Sequence, residues 1–138
     1  GDKVFDSLLP GAQAVLDCTD NFPTRFAINA ACARHRVPLV LGAGIGLQGQ
    51  LGVFRHDVPA AGCYRCLFDE AGDAAEACED AGVLGPLVGM LGAWQAFETL
   101  RLLIDEAAPE SHWLHFSPET RTIRAHEIPH APACPHHA

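Results

Sequence analysis

Between Val15 and Leu41 two short apolar runs flank an amphipathic segment, and that order leaves few folds open. Ala14 to Cys18 predicts a buried strand, and Val37 to Leu41 a second one rich in branched residues. Thr24 to His35 predicts a helix with Phe26, Ala27, Ala30 and Ala31 on one face. Strand, helix and strand in this succession form a parallel βαβ unit with a right-handed crossover. The fold class is therefore α/β.

The first strand runs into Asp17-Cys18-Thr19-Asp20-Asn21, with Arg25 four residues on. Asn21 or Asp20 caps the helix, and Pro23 falls in its first turn. In open α/β sheets ligands gather at the carboxyl ends of strands. Asp17 and Asp20 thus stand where a nucleotide, or its magnesium, is expected. The plainer alternative is that Asp20 and Asn21 only cap the helix. Arg25 either supports such a ligand or pairs with Asp17 or Asp20.

Downstream, Gly44-Ile45-Gly46-Leu47-Gln48-Gly49 matches G-x-G-x-x-G. A dinucleotide fingerprint opens a helix, whose amides hold the pyrophosphate. Here the glycines lead into Gln50-Leu51-Gly52-Val53-Phe54, an alternating strand pattern, so they are expected to shape a turn. A nicotinamide dehydrogenase is a poor reading on that ground. Upstream, Phe5, Leu8 and Leu9 stand at helical spacing before Pro10-Gly11. Asp57 to Ala81 reads as loop, and a long apolar helix follows to about Ile104. Trp113 to Phe116 and Thr122 to Ile128 predict two strands of a hairpin around Ser117-Pro118, added to the sheet edge.

Nine Lys and Arg face seventeen Asp and Glu, a net charge of −8, which argues against a nucleic-acid surface. The uncharged run from Ala81 to Phe97, about 17 residues, falls short of the roughly 20 a spanning helix needs. It contains Gly85, Pro86, Gly89 and Gly92, so a buried helix is expected rather than a membrane segment. No signal peptide is evident, and the six cysteines are too irregularly spaced for a disulfide scaffold. A cytoplasmic protein with metal-binding or reactive thiols is the expectation. The chain begins at Gly1 rather than at methionine, so a fragment boundary is expected there.

Cys63-x-x-Cys66 is a zinc half-site, because two thiolates three positions apart in a tight turn reach one ion. The alternatives are a redox pair or two small buried side chains. Cys78 lies beside Glu79 and Asp80, which raise a thiol pKa, so it is either a reactive thiol or an ordinary loop cysteine. Cys18 and Cys32 are expected in the core. The tail carries His130, Cys134, His136 and His137.

These stretches together resemble one family. D-x-x-D-N-x-x-x-R after an apolar strand is similar to the ATP-site motif of the MoeB/ThiF/HesA sulfur-carrier adenylyltransferases, relatives of the ubiquitin-activating enzymes. Val37-Pro38-Leu39-Val40 leading to Gly42, Gly49-Gln50-Leu51 to Phe54, Cys63-Tyr64-Arg65-Cys66-Leu67, and Cys78 through Gly89 match in the same order. The resemblance runs from about Val15 to Ile104, and more loosely to the end. It implies the C-terminal part of a Rossmann-like adenylation domain spanning residues 1–138, with a parallel βαβ core extended by antiparallel strands and a zinc-clipped tail. The glycine-rich nucleotide-binding half would precede Gly1.

The function so implied is ATP-dependent adenylation of the C-terminal glycine of a ubiquitin-like sulfur carrier, of molybdopterin or thiamine type. Asp20 would hold Mg2+ on ATP, with Asn21 and Arg25 as supports, and Cys78 would take part in later thiol chemistry. The resemblance supplies zinc ligands near the C-terminus as a second C-x-x-C. Here that position reads Cys134-Pro135-His136-His137, so Cys134 matches the first ligand and His137 the second, with His136 as a competitor. A homodimer is implied, without nucleic acid or membrane. Two alternatives come from other classes: a non-catalytic, zinc-stabilised partner-binding domain of an inactive family member, and a C-x-x-C thiol oxidoreductase.

Overall fold

The computed structural model describes residues 2–68 and 85–136. Helix α1 spans Asp2–Leu8, strand β1 Val15–Asp17, helix α2 Phe22–His35, β2 Leu39–Ile45 and β3 Gln48–Phe54. A single helical turn, α3, covers Tyr64–Leu67. The long helix α4 covers Gly85–Leu103, and β4 and β5 cover Ser111–Ser117 and Thr122–Ile128. The strands form one five-stranded sheet in the order β1-β2-β3-β4-β5. β1 and β2 run parallel, Val15 opposite Leu39, as the strand-helix-strand pattern predicts. The remaining neighbours are antiparallel.

The glycine run behaves as a turn. β2 and β3 pair from Leu39 opposite Phe54 to Ile45 opposite Gln48, and Gly46 turns the chain at φ +60° beside Leu47. That left-handed angle suits glycine, which has no Cβ to clash. The C-terminal hairpin is likewise present, Ser111 opposite Ile128 through Ser117 opposite Thr122.

Alternation along the strands splits the core in two. Leu39, Leu41 and Ala43 of β2 face Ile28, Ala31 and Cys32 of α2, together with Phe54, Tyr64 and Trp113. The opposite face is thinner, built from Leu87 and Leu91 of α4 with Phe116 and Trp94. There α4 approaches β2 so closely that a Cβ on Gly42 would lie 2.5 Å from the Gln95 Oε1.

Two expectations change here. The apolar helix is not buried all round: α4 buries Leu87, Leu91, Gln95 and Thr99, one residue per turn. Val88, Met90, Phe97 and Leu100 are exposed, because a helix laid on one sheet face covers only one side of itself. Among the described residues, no helix is long and apolar enough to cross a membrane. Cys32 is fully buried as expected, but Cys18 is exposed. Leu16 and Cys18 share a face of β1, an edge strand, and α4 presents the polar end of Gln95 to Cys18 (Oε1 to Sγ 3.7 Å).

Candidate functional site

Helix α2 connects two clusters of polar side chains. At its N-terminal end stands the loop leaving β1. Asn21 is the N-cap, in extended conformation, and its Oδ1 accepts from the Thr24 backbone N–H at 2.9 Å, with Pro23 in the first turn. This settles the choice between the two cap candidates. Asp20 is exposed, and its carboxylate is not spent on the helix. Asp17 is 1% exposed, and its Oδ1 accepts from the backbone N–H (2.8 Å) and the hydroxyl (2.6 Å) of Thr19. Its Oδ2 is buried without a hydrogen-bond partner among the described residues.

Arg25 is 4% exposed and forms no ion pair with Asp17 or Asp20 among the described residues. Its Nη2 donates to the Thr19 carbonyl at 2.9 Å, and its guanidinium lies 5.4 Å from the Phe22 ring centroid. Its Nε is a second buried polar atom without a hydrogen-bond partner among the described residues. Asn21 and Arg25 therefore hold the loop in shape while Asp20 faces outward. The loop is clamped from below as well, since the Gln95 Nε2 donates to the carbonyls of Asp17 (3.0 Å) and Val40 (3.2 Å).

Two turns along α2, the thiols meet. Cys63 precedes the single turn of α3 and Cys66 lies in it. The Cys63 Sγ is 3.8 Å from that of Cys66 and 3.6 Å from that of Cys134, which the tail delivers. All three sulfurs lie within 4.8 Å of one another. Tetrahedral zinc with bonds of about 2.3 Å separates its sulfurs by about 3.8 Å. The spacing therefore suits a shared metal ion and is far too long for disulfides, and a third sulfur exceeds what a redox pair requires. Zinc would serve here as a structural clip, closing the loop between residues 63 and 134.

Burial, foremost, pushes the Cys63 thiol up, while its hydrogen bond from Asn29 pulls the other way. Cys134 is pushed up to about 12, again chiefly by burial. Burial thus favours the protonated form of Cys63 and Cys134, and a metal must displace their protons. The proposed fourth ligand His137 and the thiol Cys78 lie outside the described residues.

Two contributors went unrecognised in the sequence. Asn29 is fully buried, with its Nδ2 3.6 Å from the Cys63 sulfur and its Oδ1 accepting from the Tyr64 N–H at 3.2 Å. The His56 Nε2 lies 3.0 Å from the same oxygen. The available signal was the stripe Asn21, Arg25, Asn29, polar residues one helical turn apart on the face that otherwise packs. Gln95 carried no signal, because a lone amide in an apolar helix is featureless until its strand partners are known.

Known proteins share both the sequence and the fold. The chain is 44% identical over 112 residues to a molybdopterin-synthase adenylyltransferase of Salmonella typhimurium, covering 80% of this chain and 44% of that protein. It is 39% identical over 124 residues to the sulfur carrier protein ThiS adenylyltransferase of Escherichia coli, covering 90% and 49%. The chain thus spans less than half the length of these curated relatives. In fold it is similar to E. coli MccB solved with succinimide, at a TM-score of 0.73 and 14% identity, over 97% of this chain and 42% of that one. The ThiF family model matches residues 1–136, and the chain belongs to the ThiF family.

Proposed function

We propose that this chain is the C-terminal part of an adenylation domain that uses ATP to activate the C-terminal glycine of a ubiquitin-like sulfur carrier, yielding an acyl-adenylate and pyrophosphate. The observation that carries the proposal is the loop at the carboxyl end of the parallel pair. There Asp20 is exposed on a loop whose shape is fixed by Asn21 to Thr24, Asp17 to Thr19 and Arg25 to Thr19. Support also comes from family membership and from relatives that act, by their names, on sulfur carriers.

In this reading Asp20 binds the magnesium ion that accompanies ATP, which neutralises charge on the leaving pyrophosphate. Magnesium favours one or two carboxylates together with phosphate oxygens, which suits a single exposed aspartate. Asn21 and Arg25 act on the nucleotide indirectly, by fixing the loop. Cys78 serves transfer steps after adenylation. Zinc is held by Cys63, Cys66, Cys134 and His137. The partner is a ubiquitin-like sulfur carrier, and the assembly is a homodimer.

The test is ATP–pyrophosphate exchange by the full-length protein with its carrier. Asp20→Ala should lower exchange on the order of 100-fold or more, the scale for removing one electrostatic contact from a transition state, with the melting temperature unchanged. Cys78→Ala should leave exchange intact, since adenylate formation needs no thiol. Near-normal exchange by Asp20→Ala would return that residue to the role of a loop spacer.

A further inference from the structure

Three thiolates around a dication, completed by a neutral imidazole, carry an excess negative charge. The charge here is shut into the protein: Cys63 is 0% and Cys134 5% exposed. Such a charge requires N–H donors aimed at sulfur, because nothing else in an apolar interior offsets it. Two are present. The Ala131 backbone N–H points at the Cys66 sulfur (3.4 Å), and the Asn29 Nδ2 at the Cys63 sulfur (3.6 Å).

The orientation of the Asn29 amide follows from chemistry. The Tyr64 backbone nitrogen, 3.2 Å away, can only donate, so the atom facing it is the oxygen. The His56 Nε2, 3.0 Å from that oxygen, must then carry its proton and donate as well. With the oxygen held by two donors, the amide NH2 is turned toward Cys63. The same contact seats the first residue of α3 on α2, beside the packing of the α2 Phe26 ring on Tyr64 (centroids 5.1 Å apart).

We propose that Asn29 is a positioning residue for the metal centre, donating to the Cys63 thiolate and thereby raising metal affinity and fixing that ligand's direction. The proposal rests on the metal reading of the cysteine cluster. Its consequence is reciprocal, since a thiolate is a stronger acceptor than a thiol and metal binding tightens the seat of α2.

Asn29→Asp tests it, because it keeps the shape and the acceptor facing Tyr64 while turning a carboxylate oxygen toward sulfur. Competition with a chromophoric chelator should show zinc affinity down by about 10- to 100-fold, the usual scale for losing an outer-sphere partner. In the cobalt-substituted protein the sulfur-to-metal charge-transfer band should shift. Asn29→Ala covers the case in which the aspartate variant does not fold. Its melting temperature should fall more in the zinc-loaded than in the metal-free protein, whereas a purely structural asparagine lowers both equally. Equal losses, or unchanged affinity and spectrum in Asn29→Asp beside a zinc-binding parent, would overturn the inference alone. A parent that binds neither zinc nor cobalt would overturn the metal reading together with it.

Discussion

The thiol cluster and the loop after β1 use the same helix, α2, in opposite ways. Around Cys63 the side chains close inward: two of the three sulfurs are buried, and the amide and backbone donors about them point at sulfur. Around Asp20 the supporting residues bond to one another, through Asn21 to Thr24, Asp17 to Thr19 and Arg25 to Thr19, yet the central carboxylate is left in solvent. The difference is one of exchange. A group sealed among donors is suited to a ligand that stays and contributes folding energy, whereas an exposed carboxylate on a rigid loop is suited to one that comes and goes. The buried, unpartnered Asp17 Oδ2 and Arg25 Nε belong to the open site. Polar atoms left unsatisfied are where such a site departs from ordinary core chemistry.

The sharpest way to break this contrast is to remove one ligand from the closed site. Cys63→Ser should cost several kcal/mol, because the metal's binding energy is folding energy, and chelator should then no longer lower the melting temperature. Cys78→Ser should melt close to the parent. Should the two serine variants melt alike, the cluster holds no metal of structural consequence.

The middle-sized effect lies at the open site. Asn21→Ala removes the acceptor for the Thr24 N–H and should cost about 1 kcal/mol in urea unfolding, the usual scale for losing an N-cap. It should also weaken ATP–pyrophosphate exchange in the full-length protein, because the cap sets the attitude of Asp20. A stability loss with undiminished exchange would separate the cap from the nucleotide site.

What the sequence disclosed follows the range of the interactions involved. The βαβ unit was legible from Val15 to Leu41 because helix and strand periods are local. Gly46 was legible as a turn because the residues after it alternate. The C-x-x-C spacing offered Cys63 and Cys66 as a zinc half-site beside a redox pair or two buried side chains, but Cys134 came through resemblance, since no local pattern joins residues 71 positions apart. The Gln95 clamp on Asp17 and Val40 spans 78 and 55 positions and depends on the absence of a side chain at Gly42. Cys18 was misjudged because an apolar-looking strand residue was assumed to be covered, and burial depends on where α4 lies rather than on β1 itself.

The smallest effect concerns the far end of α2, where the contrast predicts that almost nothing is at stake. Asp6 of α1 accepts from the Arg34 side chain (3.1 Å from Nη2) and lies 2.8 Å from the His35 Nε2, in the last turn of the helix. The His35 bond first, and the Arg34 bond next, hold the Asp6 carboxyl below its ordinary value of 3.8. A depressed carboxyl contributes stability that is fully present above 3.8 and is lost as pH falls through the lower folded value. Any contribution is therefore constant at neutral pH and fades only in acid. Because the pair is solvent-exposed, water and salt screen it, and Asp6→Asn should leave the neutral melting temperature almost unmoved. Its difference from the parent should narrow further as pH is lowered below 3.8, and added salt at neutral pH should shrink it in the same way. If Asp6→Asn destabilised the chain as much as Asn21→Ala, α2 would be anchored at its surface end. The buried contacts at Asn29 and Arg25 would then be secondary, and the division of α2 into a sealed and an open station would lose its structural basis.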